Sequence, residues 1–563
     1  MSATRIDSVP SLSLGTRSPT HSCRHDLTLR HLAHPEHRME HKSLTGRVAP
    51  TLMEITGRRP LKPALGDQRR TLTWRELEAR TNALGHGIEH DLGVTPGSNV
   101  AVIATNRYEF IEALIGAMRA GMVVVPVKAS WTAEEIGYLL EDADARLVIT
   151  DLDSGRQAAT LRATPVLDLG SAAAPHSFEG WLARQSDRPL PYERNGWRMA
   201  YTSGTTGKPK GVVRRFRGDR PWCEAFASST WLNDAMHLDP LGPHLNVSAL
   251  YHGAPLGSML ALLAAGAECR ILGRWDPESA LTELQRDVRS TVMVPTHFRQ
   301  LLALPEPVRL SFDAPELRSV VHGGEPCPQS VKRAMIEWFG PIVHEYYGTS
   351  EGGTTTVTAD EWLERPGTVG RPVAGMEVHV LDDQHHERGP NKEGTIYFRH
   401  QAGQFFSYRN SPEKTASAHT ADGSFTVGDI GYLDEDGFLF ISGRKADVIV
   451  SSGVNIYPAE IEDCLFSLPQ VAEVAVVGGP DDQRGERPVA FVRLAEGCTV
   501  ESALPSITTA AEQRLAGYKR PREWRVRQEL PRDGTGKLLR HVLRAELWEG
   551  REDVFANTGR PSP

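Results

Sequence analysis

Twelve consecutive residues, Tyr201 to Val212 (YTSGTTGKPKGV), concentrate groups suited to binding anions. Gly204, Gly207 and Gly211 let the backbone turn tightly and bring its N–H groups close to a ligand. Thr202, Ser203, Thr205 and Thr206 add hydroxyl donors, and Lys208 and Lys210 add positive charge. Together these groups make a nest for a chain of phosphates. A plain Ser/Thr/Gly surface loop is the alternative, and so long an unbroken run argues against it. Two familiar phosphate loops are excluded by spacing. A Walker loop follows its lysine with Ser or Thr, whereas Pro209 follows Lys208. The GxGxxG dinucleotide fingerprint is also absent from the segment.

Further segments stand in a fixed order around this loop. They are LTWREL (72–77), AMRAGMVVVPV (117–127), YHGAP (251–255), YYGTSEG (346–352), VGDIGYLDEDG (427–437), GRKADVIVSSGVNIYPAEIE (443–462) and PRDGTGK (531–537). With the phosphate loop they closely resemble the motif series of the adenylate-forming superfamily. That superfamily comprises acyl-CoA synthetases, firefly-type luciferases and the adenylation domains of nonribosomal peptide synthetases. The resemblance covers residues 50–545, and YKRP (518–521) is more similar to CoA ligases than to peptide-synthetase domains.

The resemblance implies a chemistry and assigns residues to it. A carboxylate is a poor electrophile, and joining it to the α-phosphate of ATP activates it as an acyl-AMP. Two anions meet in that step, so the site must neutralise charge as it develops. Glu351 is the implied Mg2+ ligand, a hard oxygen for a hard cation. Lys537, which follows Gly534 and Gly536 in a pliant loop, is the implied mobile cation, and Thr202 assists at the phosphates. Tyr347 would stack on adenine, Gly348 would allow close approach, and Asp429 would accept from both ribose hydroxyls. Arg444 would support the ribose from the hinge side; Ser350, Gly324 and Glu325 complete the nucleotide set. His252 and Gly253 would line the acyl pocket. Ser451, Ser452, Gly453 and Lys519 would edge a coenzyme A tunnel that opens after the C-terminal domain turns about Ala446. Three positions depart from the family pattern: Val427 for Thr, Ser452 for Gly, and Ala446 for a charged hinge residue.

The expected activity is an acyl-CoA ligase acting on a fatty, aromatic or bulky alicyclic acid, with ATP and CoA as co-substrates. Ala446 and Ser452 motivate a second reading, a thioester-forming enzyme supplied with preformed acyl-adenylate. A third is a free-standing adenylation enzyme that loads a carrier protein. A nucleotide sensor without turnover would have no need of both Lys537 and Glu351.

These residues need a scaffold, and the sequence indicates an α/β one. Thr73-Trp74-Arg75-Glu76 has capping-box spacing, and Leu77, Leu84 and Ile88 follow at helical intervals. Residues 99–104, 122–127 and 146–150 are short β-branched runs separated by helical patterns, which argues for parallel sheets covered by helices. Around 365–443 short strands and turns take over, with a hairpin signal at Asp436-Gly437; the family implies a distorted β-barrel here. Strands at 471–479 and 489–494 belong to a smaller α+β unit. The expected division is a disordered leader (1–45), an N-terminal body of parallel-rich sheets (46–443), a hinge (444–446), a mobile C-terminal domain (447–545) and a tail (546–563).

Composition sets the outer limits. A chain of 563 residues exceeds what one hydrophobic core usually supports. Its net charge of −8 is not gathered into a basic block, which argues against a nucleic-acid partner. Cys23, Cys223, Cys269, Cys327, Cys464 and Cys498 are scattered without zinc spacing, as expected of reduced thiols in the cytoplasm. The apolar run Ala254–Ala267 is too short for a bilayer and reads as a buried helix. His21, His25, His31, His34, His37 and His41 lack acidic or Cys partners, so a flexible leader is the better reading than a metal site. A homodimer is compatible with the chain.

Overall fold

In the computed structural model, residues 52–170, 177–190, 194, 196–202, 209–214, 226, 229–401, 406–532 and 538–549 are described. They belong to one compact unit, Val48–Pro563. The leader and its histidines, and the tail beyond residue 549, lie outside the described residues.

The β-branched runs form a five-stranded, all-parallel sheet in the order Val166–Asp168, Ala145–Thr150, Asn99–Ile103, Val123–Pro126, Trp197–Arg198. Parallel sheets need cover on both faces. The helix Tyr108–Arg119, buried along its whole length, supplies cover by packing on this sheet and on a second, larger one. The capping box forms as expected: Thr73 Oγ1 accepts from Glu76 N (3.3 Å), and Glu76 accepts from Thr73 N (2.8 Å).

The larger sheet has thirteen strands. Its centre is parallel, running through Cys269–Ile271, His244–Asn246, Ser290–Met293, Ser319–His322 and Val343–Gly348. It turns antiparallel at Thr354–Val357 and continues through Thr368–Pro372, Leu439–Arg444, Asp429–Leu433, Gly394–His400 and Met376–Leu381. The change of texture near residue 365 therefore marks where one sheet changes strand direction. Val343–Gly348 and the hairpin Asp429–Leu433/Leu439–Arg444 lie in this single sheet, which brings Tyr347 beside Asp429. Beyond Arg444, Ile449–Ser451, Val454–Ile456, Val471–Asp481, Gly485–Leu494 and Glu523–Val526 build a separate sheet. That sheet has its own core, including Ile461, Leu465, Val476, Val492 and Ile507. Phe466 reaches back onto the core of the larger sheet. No described helix is long and apolar enough to cross a membrane.

Under the centre of the large sheet, Lys332 Nζ meets Glu345 Oε2 at 2.5 Å, with the lysine side chain fully buried. The ammonium also lies 4.8 Å from the Trp362 ring. Removing one partner of a buried pair strands the other charge, so Lys332→Met is expected to cost about 3–5 kcal/mol in denaturant unfolding. The double variant Lys332→Met/Glu345→Leu should recover most of that loss; equal destabilisation of both variants would refute the pairing argument.

Candidate active site

The phosphate-loop motif is carried on a hairpin stem. Ala200–Thr202 pairs antiparallel with Lys210–Arg214, with Thr202 opposite Lys210. Ser203, Gly204, Thr205, Thr206, Gly207 and Lys208 lie outside the described residues. The stem is anchored at Asp142: the Tyr201 hydroxyl donates to its carboxylate (2.7 Å) and Arg409 Nε to its carbonyl (2.6 Å). Burial and that carboxylate raise the Tyr201 phenol far above its usual range, so it remains a donor.

A third strand, Phe406–Tyr408, pairs with Lys210–Arg214 and brings in Tyr408. The Lys210 ammonium lies 5.5 Å from the Tyr408 ring centroid, within cation–π range. The Tyr408 hydroxyl donates to Glu351 Oε1 at 2.8 Å. One aromatic ring thus ties the lysine end of the loop to the Glu351 carboxylate. Sequence reading missed Tyr408, because it stands outside every motif and reaches the site through strand pairing.

Glu351 sits in a tight turn after Val343–Gly348. Thr349 Oγ1 accepts from the N–H groups of Gly352 (3.3 Å) and Gly353 (3.2 Å). A Cβ at Gly353 would come within 2.5 Å of the Phe398 ring, so glycine is required there. Arg214 Nη2 holds the turn by donating to the Ser350 carbonyl at 2.7 Å. Burial lowers the pKa of Arg214, and Glu351 opposes the shift. Lys210 is lowered first by burial and then by Lys414, with Glu351 again opposing. Desolvated cations around one carboxylate suit a site that must stabilise added negative charge.

In a second cluster, the Tyr347 hydroxyl donates to Asp429 Oδ2, and Arg444 Nε donates to Oδ1 at 3.0 Å. Asp429 is only 4% exposed, yet a carboxylate offers about four acceptor sites, so two partners leave room for hydroxyl donors. Burial, then the Asp429 charge, pushes the Tyr347 phenol well up. A Cβ at Gly323 would fall 2.3 Å from the Tyr346 carbonyl, and Gly324 has φ +84°. Both glycines let the 323–324 backbone lie flat against the Tyr346–Tyr347 strand; Gly348 ends that strand opposite Thr354. Glu325 has a partner that the sequence did not suggest. It accepts from Thr296 N (2.6 Å) in the first turn of the helix Pro295–Leu302, where a negative charge complements the helix dipole.

His252, expected at the acyl pocket, precedes the helix Gly253–Ala264, its ring 4.4 Å from that of Tyr251. The Gly253 carbonyl accepts from Arg198 Nη1 at 3.2 Å. Arg198 was not singled out from sequence, although an arginine in the run WRMAY, three residues before Tyr201, was a usable signal. Nearby, His344 and His237 rings lie 4.9 Å apart, and burial lowers His344 to about 3, keeping it neutral.

Ser452 and Gly453 form the two-residue turn between Ile449–Ser451 and Val454–Ile456, with φ +52° and +78°. A turn with both φ values positive favours glycine at each position, which accounts for the two glycines usual in the family. Ser452→Gly is expected to stabilise the protein by about 1 kcal/mol, the cost of a left-handed non-glycine residue; thermal unfolding checks the sign. Among the described residues, no hydrogen bond or ion pair links Ser451, Ser452 or Gly453 to Glu351 or Asp429. Lys519 Nζ lies 2.6 Å from both Glu460 oxygens. Ala446 is exposed in a turn held by Lys445 N to Gly428 O (2.8 Å) and Asp447 N to Arg444 O (2.9 Å). Lys537 lies outside the described residues. Its flanks, Arg532 and Leu538, pair as a bridge, and Arg532 binds Glu473 at 2.6 Å. Burial lowers the pKa of Arg299, which also feels the charges of Glu325, Arg532 and Glu473.

Comparison with known proteins identifies the family. The AMP-binding enzyme family model matches residues 53–407, and the AMP-binding enzyme C-terminal domain matches 460–537. A fatty acid–[acyl-carrier-protein] ligase, ScoC of Streptomyces coeruleorubidus, is 32% identical over 87% of this chain and 94% of its own. A 2-succinylbenzoate–CoA ligase of Geobacillus kaustophilus is 32% identical over 86% of this chain and 95% of its own. Among solved structures, o-succinylbenzoate CoA synthetase (MenE) of Bacillus subtilis, with its acyl-adenylate intermediate, superposes with a TM-score of 0.74 at 26% identity. It covers 88% of this chain and 98% of its own. ATP-bound MatB of Rhodopseudomonas palustris gives 0.75 at 26% identity, over 87% and 96%. The chain belongs to the AMP-binding enzyme family, the adenylate-forming superfamily of acyl-CoA ligases, and is an AMP-forming acid–thiol ligase.

Proposed function

We propose that the chain performs both half-reactions, making an acyl-adenylate from ATP and a carboxylic acid with an apolar body, then transferring the acyl group to CoA. The observation that carries this reading is the meeting of two sheets: Tyr408 of the three-stranded stem sheet bonds Glu351, which follows the large-sheet strand that carries Tyr347 to Asp429 and Arg444. In the first step a carboxylate oxygen attacks the α-phosphorus and pyrophosphate leaves. Lys210, Lys208 and Lys537 meet the phosphates; Asp429 holds the ribose. In the second step the thiol sulfur, its proton lost, attacks the acyl carbonyl and AMP leaves.

Among the described residues no three metal-ligating side chains converge. That suits Mg2+, which binds one or two carboxylates plus substrate phosphates and water. Glu351, with only Oε1 taken by Tyr408, would hold it and Mg2+ would supply charge neutralisation. The C-terminal unit (447–545) would turn about residues 444–446, presenting Lys537 and the 451–453 turn in alternation.

The similarity to ScoC favours a second reading, a carrier-protein acceptor. Both are tested by acid-dependent exchange of pyrophosphate into ATP, then AMP release with CoA, with holo-carrier and with neither. Exchange plus CoA-stimulated AMP release supports the proposal. Faster turnover with holo-carrier supports the second reading, and absence of exchange would leave only a thioester-forming enzyme fed with acyl-adenylate.

A further inference from the structure

The three-stranded sheet that carries the phosphate-loop stem is held from its rear face by one aspartate. Its strands run in the order Phe406–Tyr408, Lys210–Arg214, Ala200–Thr202. Side chains alternate between the faces of a strand, and residues directly opposite share a face. The pairings Thr202–Lys210, Tyr408–Val212 and Phe406–Arg214 therefore put Thr202, Lys210, Arg214 and Tyr408 on one face. Tyr201 and Gly211, also paired, take the other face, where Tyr201 packs on the core of the five-stranded sheet. A Cβ at Gly211 would come 3.1 Å from the Tyr201 ring, so glycine there lets the ring cross its strand.

Asp142, the last residue of the helix Ala133–Asp142, meets this rear face. Its carboxylate accepts from the Tyr201 hydroxyl at 2.7 Å and from Asn410 Nδ2 at 3.0 Å. Its carbonyl, one of four that a helix end leaves unsatisfied, accepts from Arg409 Nε at 2.6 Å, where the helix dipole favours a cation. Arg409 N in turn donates to the Gly211 carbonyl at 2.8 Å. Asp142 thus grips both outer strands of the sheet. Tyr201 precedes Thr202 and Arg409 follows Tyr408, so each grip lies one residue from a group on the front face. On that front face the Tyr408 hydroxyl reaches Glu351 at 2.8 Å, and Lys210 lies 5.5 Å from the Tyr408 ring.

We propose that Asp142 is a positioning residue for the triphosphate of ATP, setting from the rear the spacing of Thr202, Lys210 and Tyr408 across the front face. It touches no phosphate itself. This inference rests on the acid-activating reading above and concerns the pyrophosphate that leaves in the first step.

The test sets ATP against ligands that lack its outer phosphates. Asp142→Ala, Asp142→Asn and Tyr201→Phe are measured in pyrophosphate exchange, in acyl transfer from synthetic acyl-adenylate to CoA, and in calorimetric binding of ATP and of AMP. Asp142→Ala removes the bonds to Tyr201 and to Asn410 Nδ2 at the carboxylate, while the backbone carbonyl keeps Arg409. It is expected to raise KM and Kd for ATP by about 10-fold, a fraction of the roughly 10²-fold that a 1 Å displacement of a positioning group can cost. AMP binding and acyl transfer should hold at the wild-type level. Asp142→Asn keeps an acceptor for Tyr201 and should recover part of the loss. Tyr201→Phe should weaken ATP in the same direction, and adding it to Asp142→Ala should cost little more, because both remove one bond. Melting temperature records any loss of fold; if Asp142→Ala does not fold, Tyr201→Phe carries the test. Equal losses for ATP, AMP and acyl transfer would overturn the assignment, making Asp142 a support of the fold alone. Unchanged ATP affinity in Asp142→Ala and Tyr201→Phe would overturn it as well, leaving acid activation intact. Absence of exchange in the wild type with every acid would overturn the activating reading and this one with it.

Discussion

Lys537→Ala is expected to lower acid-dependent pyrophosphate exchange by about 10²–10³-fold, the scale seen when a charge-stabilising donor is removed. It should leave thioester formation from synthetic acyl-adenylate nearly unchanged. The asymmetry follows from the chemistry of the steps. Adenylation gathers charge on a phosphate that is already anionic, so a cation at the α-phosphate matters most as that bond forms. Thiol attack releases AMP from an activated carbonyl and has no comparable surplus to neutralise. The flanks of the PRDGTGK segment fit this role. Arg532 and Leu538 pair across it, Arg532 binds Glu473, and Arg532 and Glu325 both act electrostatically on Arg299. Single-turnover assays of the two steps, run separately, check the prediction. Matched losses in both would contradict a domain that alternates between them.

Much of this site was legible because its residues act through motifs that are local in sequence. The Gly/Thr/Lys loop, YYGTSEG and VGDIGYLDEDG each gather their candidate groups within a dozen residues, and Gly324, Gly428 and Gly453 take positive φ, where glycine is favoured. Alternating β-branched runs and helical patterns likewise gave away the parallel sheets. What stayed hidden depends on pairing between distant segments. Tyr408 reaches Glu351 only because Phe406–Tyr408 pairs with Lys210–Arg214, nearly two hundred residues away. Glu325 is expected at the nucleotide, and its carboxylate also accepts from Thr296 N in the first turn of the helix at Pro295, a partner far away in sequence. The barrel texture near 365–443 proved continuous with the parallel sheet through Thr354–Val357, a join that no local pattern announces.

Asp429→Asn should damage both half-reactions, in contrast to Lys537→Ala. Asparagine is nearly isosteric, but it offers one acceptor oxygen in place of two and turns an N–H2 toward either Tyr347 or Arg444, both of which donate. On the proposed ribose role two charge-assisted bonds would be lost, each worth about 1.5–3 kcal/mol, so kcat/KM for ATP should fall by about 10²–10⁴-fold. Adenosine stays bound through the thioester step, so acyl transfer from synthetic adenylate should fall as well, mainly through KM. Tyr347→Phe isolates the supporting bond: it removes one donor to Asp429, keeps the ring, and should cost far less. If Asp429→Asn spared acyl transfer while abolishing exchange, the carboxylate would be acting on the phosphates rather than on the ribose, and the nucleotide would have to lie across the sheet in the opposite direction.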